Sequence, residues 1–167
     1  MVKKEMEFMA RVLVCDQSTR CTGLAWFISG QYVESGIIDM NKSKLETSER
    51  SFEMAKEIWK AIKHYKPEYL ILEDVQQQSS PKVMLILARL QGMVVGYAEA
   101  HKVKVHIIPP SQWRAQLYFS QGPKVKRAEL KQQSLDYVKE HLGIDLPEDQ
   151  AEACCIGFAA HKIFDFE

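Results

Sequence analysis

No two cysteines in this chain have the C-x-x-C spacing of a redox motif or a zinc site. The four present, Cys15, Cys21, Cys154 and Cys155, read as reduced thiols: Cys15 lies inside a strand and the adjacent pair inside an apolar run. Net charge is also missing. The formal balance is zero, so no global field draws the protein to nucleic acid or membrane, and any such attraction must come from a local patch. Long hydrophobic runs are absent too. The most apolar stretch, Val83 to Ala98, carries Arg89 and Gln91. It falls short of the roughly 20 residues that a membrane span needs. The expectation is a buried or interface helix and no membrane partner. The opening MVKKEMEFMA has no signal-peptide core, so residues 1–10 are expected to form a flexible leader on a cytoplasmic protein. Internal repeats and low-complexity linkers are lacking. A chain of 167 residues, 46% hydrophobic, then fits a single domain over residues 11–167 with enough length to bury a core.

What is present is an ordered series of strand and helix patterns. RVLVCDQ, TGLAWFIS and QYVESGIIDM read as three strands, with a hairpin turn at Gly30-Gln31. Phe52, Ala55, Ile58, Trp59 and Ile62 have helical spacing between Leu45 and Tyr65, and Pro67 stops that helix. EYLILEDV is a short buried strand. A helix follows from Pro81 to Ala100, with proline in its first turn. VKVHIIP is a fifth strand, SQWRAQLY a short helix and FSQGPKVK a loop. Helices from Lys126 to His141 and across LPEDQAEACCIGFAAHKIF complete the chain. This order predicts an α/β fold. A mixed five-stranded sheet, an antiparallel three-strand meander plus two parallel strands, is flanked by helices, with the first strand central and the fourth parallel beside it.

Four carboxylates stand out against that topology. Asp16 ends the first strand and Glu73 the fourth; Asp149 and Glu152 share one face near the start of the last helix. Taken alone, Asp16 reads as a turn former, Glu73-Asp74 as a solvated strand end, and the helix pair as complements of the helix dipole. Taken together, all fall where one topology makes them meet, at the carboxyl edge of the sheet where α/β proteins bind ligands. Converging carboxylates repel one another unless cations hold them, and hard oxygen ligands select Mg²⁺, or Mn²⁺, over Zn²⁺. Two such ions suit phosphodiester hydrolysis.

At these residues the sequence resembles RuvC-type Holliday junction resolvases of the ribonuclease H-like superfamily. VLVCDQSTRCTGLAWF, YLILEDV and PEDQAEACCIGFAAHK are similar to the three acidic motifs of that family. The resemblance spans most of the chain from Arg11 onward. It implies a ribonuclease H-like fold, with Asp16, Glu73, Asp149 and Glu152 as catalytic ligands of two Mg²⁺ ions, Mn²⁺ being the alternative. It also implies a homodimer whose two sites nick opposing strands of a four-way junction, leaving 5′-phosphate and 3′-hydroxyl ends. Glu152 stands where cellular members usually have Asp. The loop after Glu73, DVQQQSSPK, lacks the aromatic that those members wedge into the junction; Gln76, Gln77 and Gln78 offer hydrogen bonds to DNA instead. Both departures resemble phage-encoded resolvases, which implies a wider range of branched DNA, including three-way junctions and forks, in a bacterial host cytoplasm.

Charge is unevenly spread. From His101 to Lys139 eight basic residues face only Glu129 and Asp136, whereas Glu140 to Glu152 has five acidic residues and neither lysine nor arginine. A basic stretch beside an acidic metal site is what a nuclease needs. Within SQGPKVKRAELK, the residues Lys124, Lys126 and Arg127 are candidate phosphate contacts. Lys131 lies near a basic position of the family. Lys139 reads as part of a solvated face. Trp113, Tyr118 and Phe119 flank the basic loop and read as packing residues, although unpaired bases could stack on them. The apolar helix from Val83 to Ala98 is the dimer face that the family implies. Rival readings remain open: an ATP-binding relative, whose phosphate hairpin DQSTRCTG resembles; a non-catalytic junction-binding protein; and a ribonuclease acting on RNA–DNA hybrids.

Overall fold

The computed structural model describes residues 9–76 and 80–166. The apolar run Arg11–Asp16 forms β1, and Cys21–Ile28 (β2) and Gln31–Asp39 (β3) complete the meander. Helix α1 (Thr47–Tyr65) stops where Lys66 turns left-handed at φ 50°, just before Pro67. Tyr69–Glu73 is β4, Pro81–Ala100 is α2 and Lys104–Ile108 is β5. Three helices follow: α3 (Pro110–Gln116), α4 (Arg127–Leu142, ended by Gly143 at φ 71°) and α5 (Glu148–Ile163). The sheet has five strands in the order β3-β2-β1-β4-β5. Strand β1 pairs antiparallel with β2 and parallel with β4, and β4 is parallel to β5. The α/β architecture read from the sequence is therefore the one observed.

Alternation along the strands divides the core into two layers. Val12, Val14, Tyr69 and Ile71 face α5, with Trp113 of α3 and Val138 of α4 filling the edges. Leu13, Cys15, Leu70 and Leu72 face the other way, onto Met54, Ile58 and Ile62 of α1 and Leu90 and Val94 of α2. Period two then fixes where the strands deliver their last residues. Asp16 is in phase with Val14, and Glu73 with Ile71, so both carboxylates emerge on the α5 side. Cys15 pairs with Leu72, which sets Asp16 and Glu73 level across the two strands.

One detail differs from the sequence reading, and two refine it. Residues 1–8 lie outside the described chain, but Ala10, assigned to the leader, is buried in the α5 layer and accepts a hydrogen bond from Ser29 N at 2.9 Å. Helix α2 spans the residues read from the sequence, and its 20 residues are by length and composition enough to cross a membrane, although the apolar run within it is shorter. Here Ile86, Leu90, Val94 and Ala98 form one line buried in the core, while Val83, Met84 and Leu85 stay exposed. Strand β3 is bulged: Trp26 pairs with Glu34 but Phe27 with Tyr32, leaving Val33 outside the ladder.

Helix α5 lies unusually deep because glycines clear its path. Gly23 faces Asp16 across the β1–β2 ladder, and a Cβ there would sit 1.9 Å from the carbonyl oxygen of Asp149. A Cβ on Gly157 would sit 2.2 Å from the Phe27 ring. The Gly23→Ala variant must push the start of α5 off the sheet. It should destabilise the protein by at least about 1–3 kcal/mol, as overpacking does. Thermal unfolding should show a melting temperature lower by several degrees, at about 2–4 °C per kcal/mol for a chain of this size. An unchanged melting temperature would contradict the close approach.

Candidate active site at the carboxyl edge of β1 and β4

Helix α5 starts over the carboxyl ends of the two central strands. Its first turns bring Asp149 and Glu152, one helical step apart, to Asp16. Asp16, Asp149 and Glu152 each offer an oxygen, and these oxygens all lie within 4.8 Å of one another. Glu73 joins them in the wall of the same cleft, whose volume is about 460 Å³. The four carboxylates picked out in the sequence are thus gathered into one site, all of them half-buried.

Neighbouring side chains hold Glu73, Glu152 and the start of α5 in place. Trp113 Nε1 donates to Glu73 Oε1 at 2.8 Å, and the amides of Gln91 and Gln17 donate to the Glu73 main-chain carbonyl at 2.9 and 3.4 Å. The Arg114 guanidinium sits over the Trp113 ring, 4.9 Å from its centroid, and reaches within 3.9 Å of Glu152 Oε1. Gln150, between Asp149 and Ala151, accepts from Ser35 Oγ at 2.8 Å, tying the first turn of α5 to β3. The Cys21 thiol hydrogen-bonds to Asp149. Burial and that bond push it up to about 12, so it stays a neutral donor rather than a thiolate ligand.

The basic residues separate into two groups. Arg127 and Lys131 line the cleft together with Gln76, and so does Arg114. Lys124 and Lys126 are exposed on the loop before α4 and are not among the cleft-lining residues. The Lys131 ammonium is not free; it pairs with Glu148 at the start of α5. Lys139 pairs with Asp145 at 2.6 Å, away from the site. Gln77 and Gln78 lie outside the described residues. Of the three aromatics near the basic loop, Trp113 is fully buried, Phe119 packs edge-on against it, and Tyr118 is 92% exposed. Sequence reasoning missed Trp113, Arg114, Gln17 and Gln91 as site residues. The usable signal was position: SQWR follows directly on the carboxyl end of β5, beside the end of β4.

Electrostatics mark the cluster as strained. Burial, then the neighbouring Glu73, Glu152 and Asp149, holds the Asp16 carboxyl well above the usual carboxylate range. Glu73 is raised chiefly by burial, against the opposing pull of the Trp113 hydrogen bond and Arg114. Glu152 is raised by burial and by Glu73, against Lys131 and Arg114. Each of these groups therefore prefers its proton more in the folded chain than in the unfolded one. Their contribution favours folding in acid, below the ordinary carboxylate range, and is lost as pH rises through the raised values. In EDTA, the wild-type melting temperature should fall more steeply between pH 5 and pH 8 than that of Asp16→Asn. The variant should also melt higher at pH 8. Groups common to both proteins cancel in the difference, so an equal or steeper fall in the variant would remove the electrostatic argument.

Known proteins provide an independent comparison. The sequence matches the family described as Lactococcus phage M3 protein over residues 9–159. No curated protein matches it. Among solved structures, RuvC of Thermus thermophilus in complex with a Holliday junction substrate superposes with a TM-score of 0.70 at 15% identity, covering 92% of this chain and 96% of that one. A second T. thermophilus RuvC structure gives 0.68 at 16% identity, with the same coverage. The yeast mitochondrial Holliday junction resolvase Ydc2 gives 0.56 at 14% identity, covering 90% of this chain and 77% of that one. The fold is accordingly the RuvC-like, ribonuclease H-like α/β fold, and by its sequence the chain belongs to the Lactococcus phage M3 protein family.

Proposed function

We propose that this protein is a divalent-metal-dependent endonuclease that resolves four-way DNA junctions, and other branched DNA, by paired nicks. The observation that carries the reading is the convergence of Asp16, Asp149 and Glu152 oxygens within 4.8 Å, with Glu73 in the same cleft. The residues fit a hard cation. All four donors are carboxylates, burial raises Asp16, Glu73 and Glu152 above the usual carboxylate range, and the one nearby thiol stays protonated. Two Mg²⁺ or Mn²⁺ ions held there would activate a water and neutralise the leaving oxygen of a phosphodiester.

The remaining roles follow from the chain itself. Asp16, Glu73, Asp149 and Glu152 hold the ions. Arg114 and Arg127 stand in the cleft wall and bind the non-bridging oxygens of the scissile and adjacent phosphates. Lys131, held by Glu148, adds positive potential to that wall, and Lys124 and Lys126 reach the flanking backbone. Gln76 meets the strand on the opposite lip. The solved RuvC structure that holds a Holliday junction supports the substrate class, and the phage family supports a phage origin. A homodimer accounts for paired nicking, with the apolar exposed start of α2 (Val83, Met84, Leu85) available to it. A cytoplasmic setting completes the reading.

The ATP-binding alternative draws less support. Two hydroxyls of the QSTRCT stretch are spent on the turn: Ser18 Oγ donates to Cys21 O at 2.8 Å and Thr22 Oγ1 to Ser18 O at 3.0 Å. The test is incubation with a labelled four-way junction, fork, linear duplex and RNA–DNA hybrid, in Mg²⁺ and in EDTA. Symmetric cleavage of the junction in Mg²⁺ alone is expected. The Asp16→Asn and Glu73→Gln variants should lose more than about 100-fold in rate while still shifting the junction in a gel. Equal cleavage of the linear duplex would defeat junction selectivity, and cleavage surviving both changes would place the site elsewhere.

A further inference from the structure

We propose that Trp113 is a positioning residue, whose indole N–H fixes the carboxylate of Glu73 so that a single oxygen faces the metal site. This rests on the metal-dependent reading above and deepens it.

The indole is completely buried, and a buried Nε1–H, which can only donate, needs an acceptor. Its partner is Glu73 Oε1 at 2.8 Å, a charge-assisted bond. Among the described residues nothing donates to Oε2, the oxygen left to the cleft. A glutamate at the end of a strand has three side-chain torsions, and several of its orientations would turn the carboxylate away from Asp16 or chelate with both oxygens. Trp113 removes that freedom. The ring itself cannot move, because it is packed in the α5 layer and met edge-on by Phe119 with centroids 5.7 Å apart. The Glu73 main chain is equally constrained by Gln91 and Gln17. Backbone and side chain of this one carboxylate are thus gripped from α2, from the β1–β2 turn and from α3. The next residue, Arg114, approaches Glu152 within 3.9 Å, so one short helix sets both flanks of the cluster.

A purely structural tryptophan would lower stability on substitution and leave metal affinity alone. A positioning tryptophan changes metal affinity when only the N–H is deleted. The experiment replaces Trp113 with 3-benzothienylalanine, which keeps the fused ring and its volume but has sulfur in place of N–H, alongside Trp113→Phe. Mn²⁺ binding is measured by calorimetry, the Mg²⁺ concentration for half-maximal junction cleavage by kinetics, and junction binding by gel shift in EDTA. Loss of an outer-sphere partner of this kind should weaken Mn²⁺ binding about 10–100-fold and raise the Mg²⁺ requirement by a similar factor, with junction binding in EDTA unchanged. In a Trp26→Phe, Trp59→Phe background, Trp113 is the sole indole, and its fluorescence should be quenched saturably by Mn²⁺.

Mn²⁺ binding by the benzothienyl protein within about threefold of wild type overturns the positioning role, while leaving the nuclease reading intact. Wild-type protein that binds Mn²⁺ but cleaves no branched DNA defeats the nuclease reading; the positioning role then stands or falls on the same Mn²⁺ affinities. Wild-type protein that binds no Mn²⁺ overturns both.

Discussion

The site depends on how closely α5 lies against the sheet. At Gly23 the carbonyl oxygen of Asp149 occupies the place of a β-carbon, and at Gly157 the Phe27 ring does the same from the other side. Between these points the helix buries Ala151, Ala153, Cys154 and Cys155, which are small, and Ile156. The small side chains let helix and strands approach closely while the packing stays dense. The consequence is chemical. Aspartate and glutamate are short, and carboxylates on a helix that stood off at ordinary spacing would not reach a strand-end aspartate. Pressed down at Gly23, the first turns of α5 set Asp149 and Glu152 beside Asp16.

Bringing them together has an energetic cost that the surroundings only partly offset. Asp16, Glu73 and Glu152 are all raised by burial; Glu73 raises Asp16 and Glu152 further. The offsets are few and each is directional: the indole N–H on Glu73, the guanidinium of Arg114, the Lys131 ammonium near Glu152, and the positive end of α5. Against three raised carboxyl groups these offsets are incomplete, and the repulsion within the cluster persists. A fold selected for stability alone would neutralise these residues with amides.

Much of this was readable in the sequence because it follows from periodicity. Two apolar runs each ending in a carboxylate, RVLVCD and YLILE, define parallel neighbours whose period of two places Asp16 and Glu73 on one face. The i, i+3 spacing of Asp149 and Glu152 puts both on one side of α5. What escaped the sequence is rotation and long-range pairing. Helix α3 has seven residues, too few for its apolar spacing to reveal which way Trp113 and Arg114 point. Lys131 lies near a basic position of the family it resembles, yet Glu148 on another helix claims its ammonium, a partner 17 residues away that only the packing of α4 on α5 discloses. Gly23 looked like part of a phosphate-binding hairpin, because a glycine in a strand pattern does not say what approaches it. Ala10 was assigned to the leader on composition, and its burial is set by a main-chain bond from Ser29.

The β1–β2 turn shows how one local motif can serve opposite chemistries on a shared fold. A phosphate-binding hairpin needs free hydroxyls and N–H groups directed at the ligand. In this chain Ser18 Oγ accepts from the N–H groups of Arg20 and Cys21 at 3.2 and 3.0 Å, and Thr22 Oγ1 accepts from Ser18 N at 3.1 Å. The N–H groups of Ser18, Arg20 and Cys21 are thus spent inside the turn. Buried Arg50 of α1 closes the turn from outside by donating to Thr19 O at 2.9 Å. The turn is therefore a rigid support. It holds Asp16 at the end of β1 and Gly23 at the start of β2, and through those two residues it fixes both the first carboxylate and the path of the helix that brings the others. What the hairpin positions here is negative charge, beside the two carboxylates that α5 brings to it.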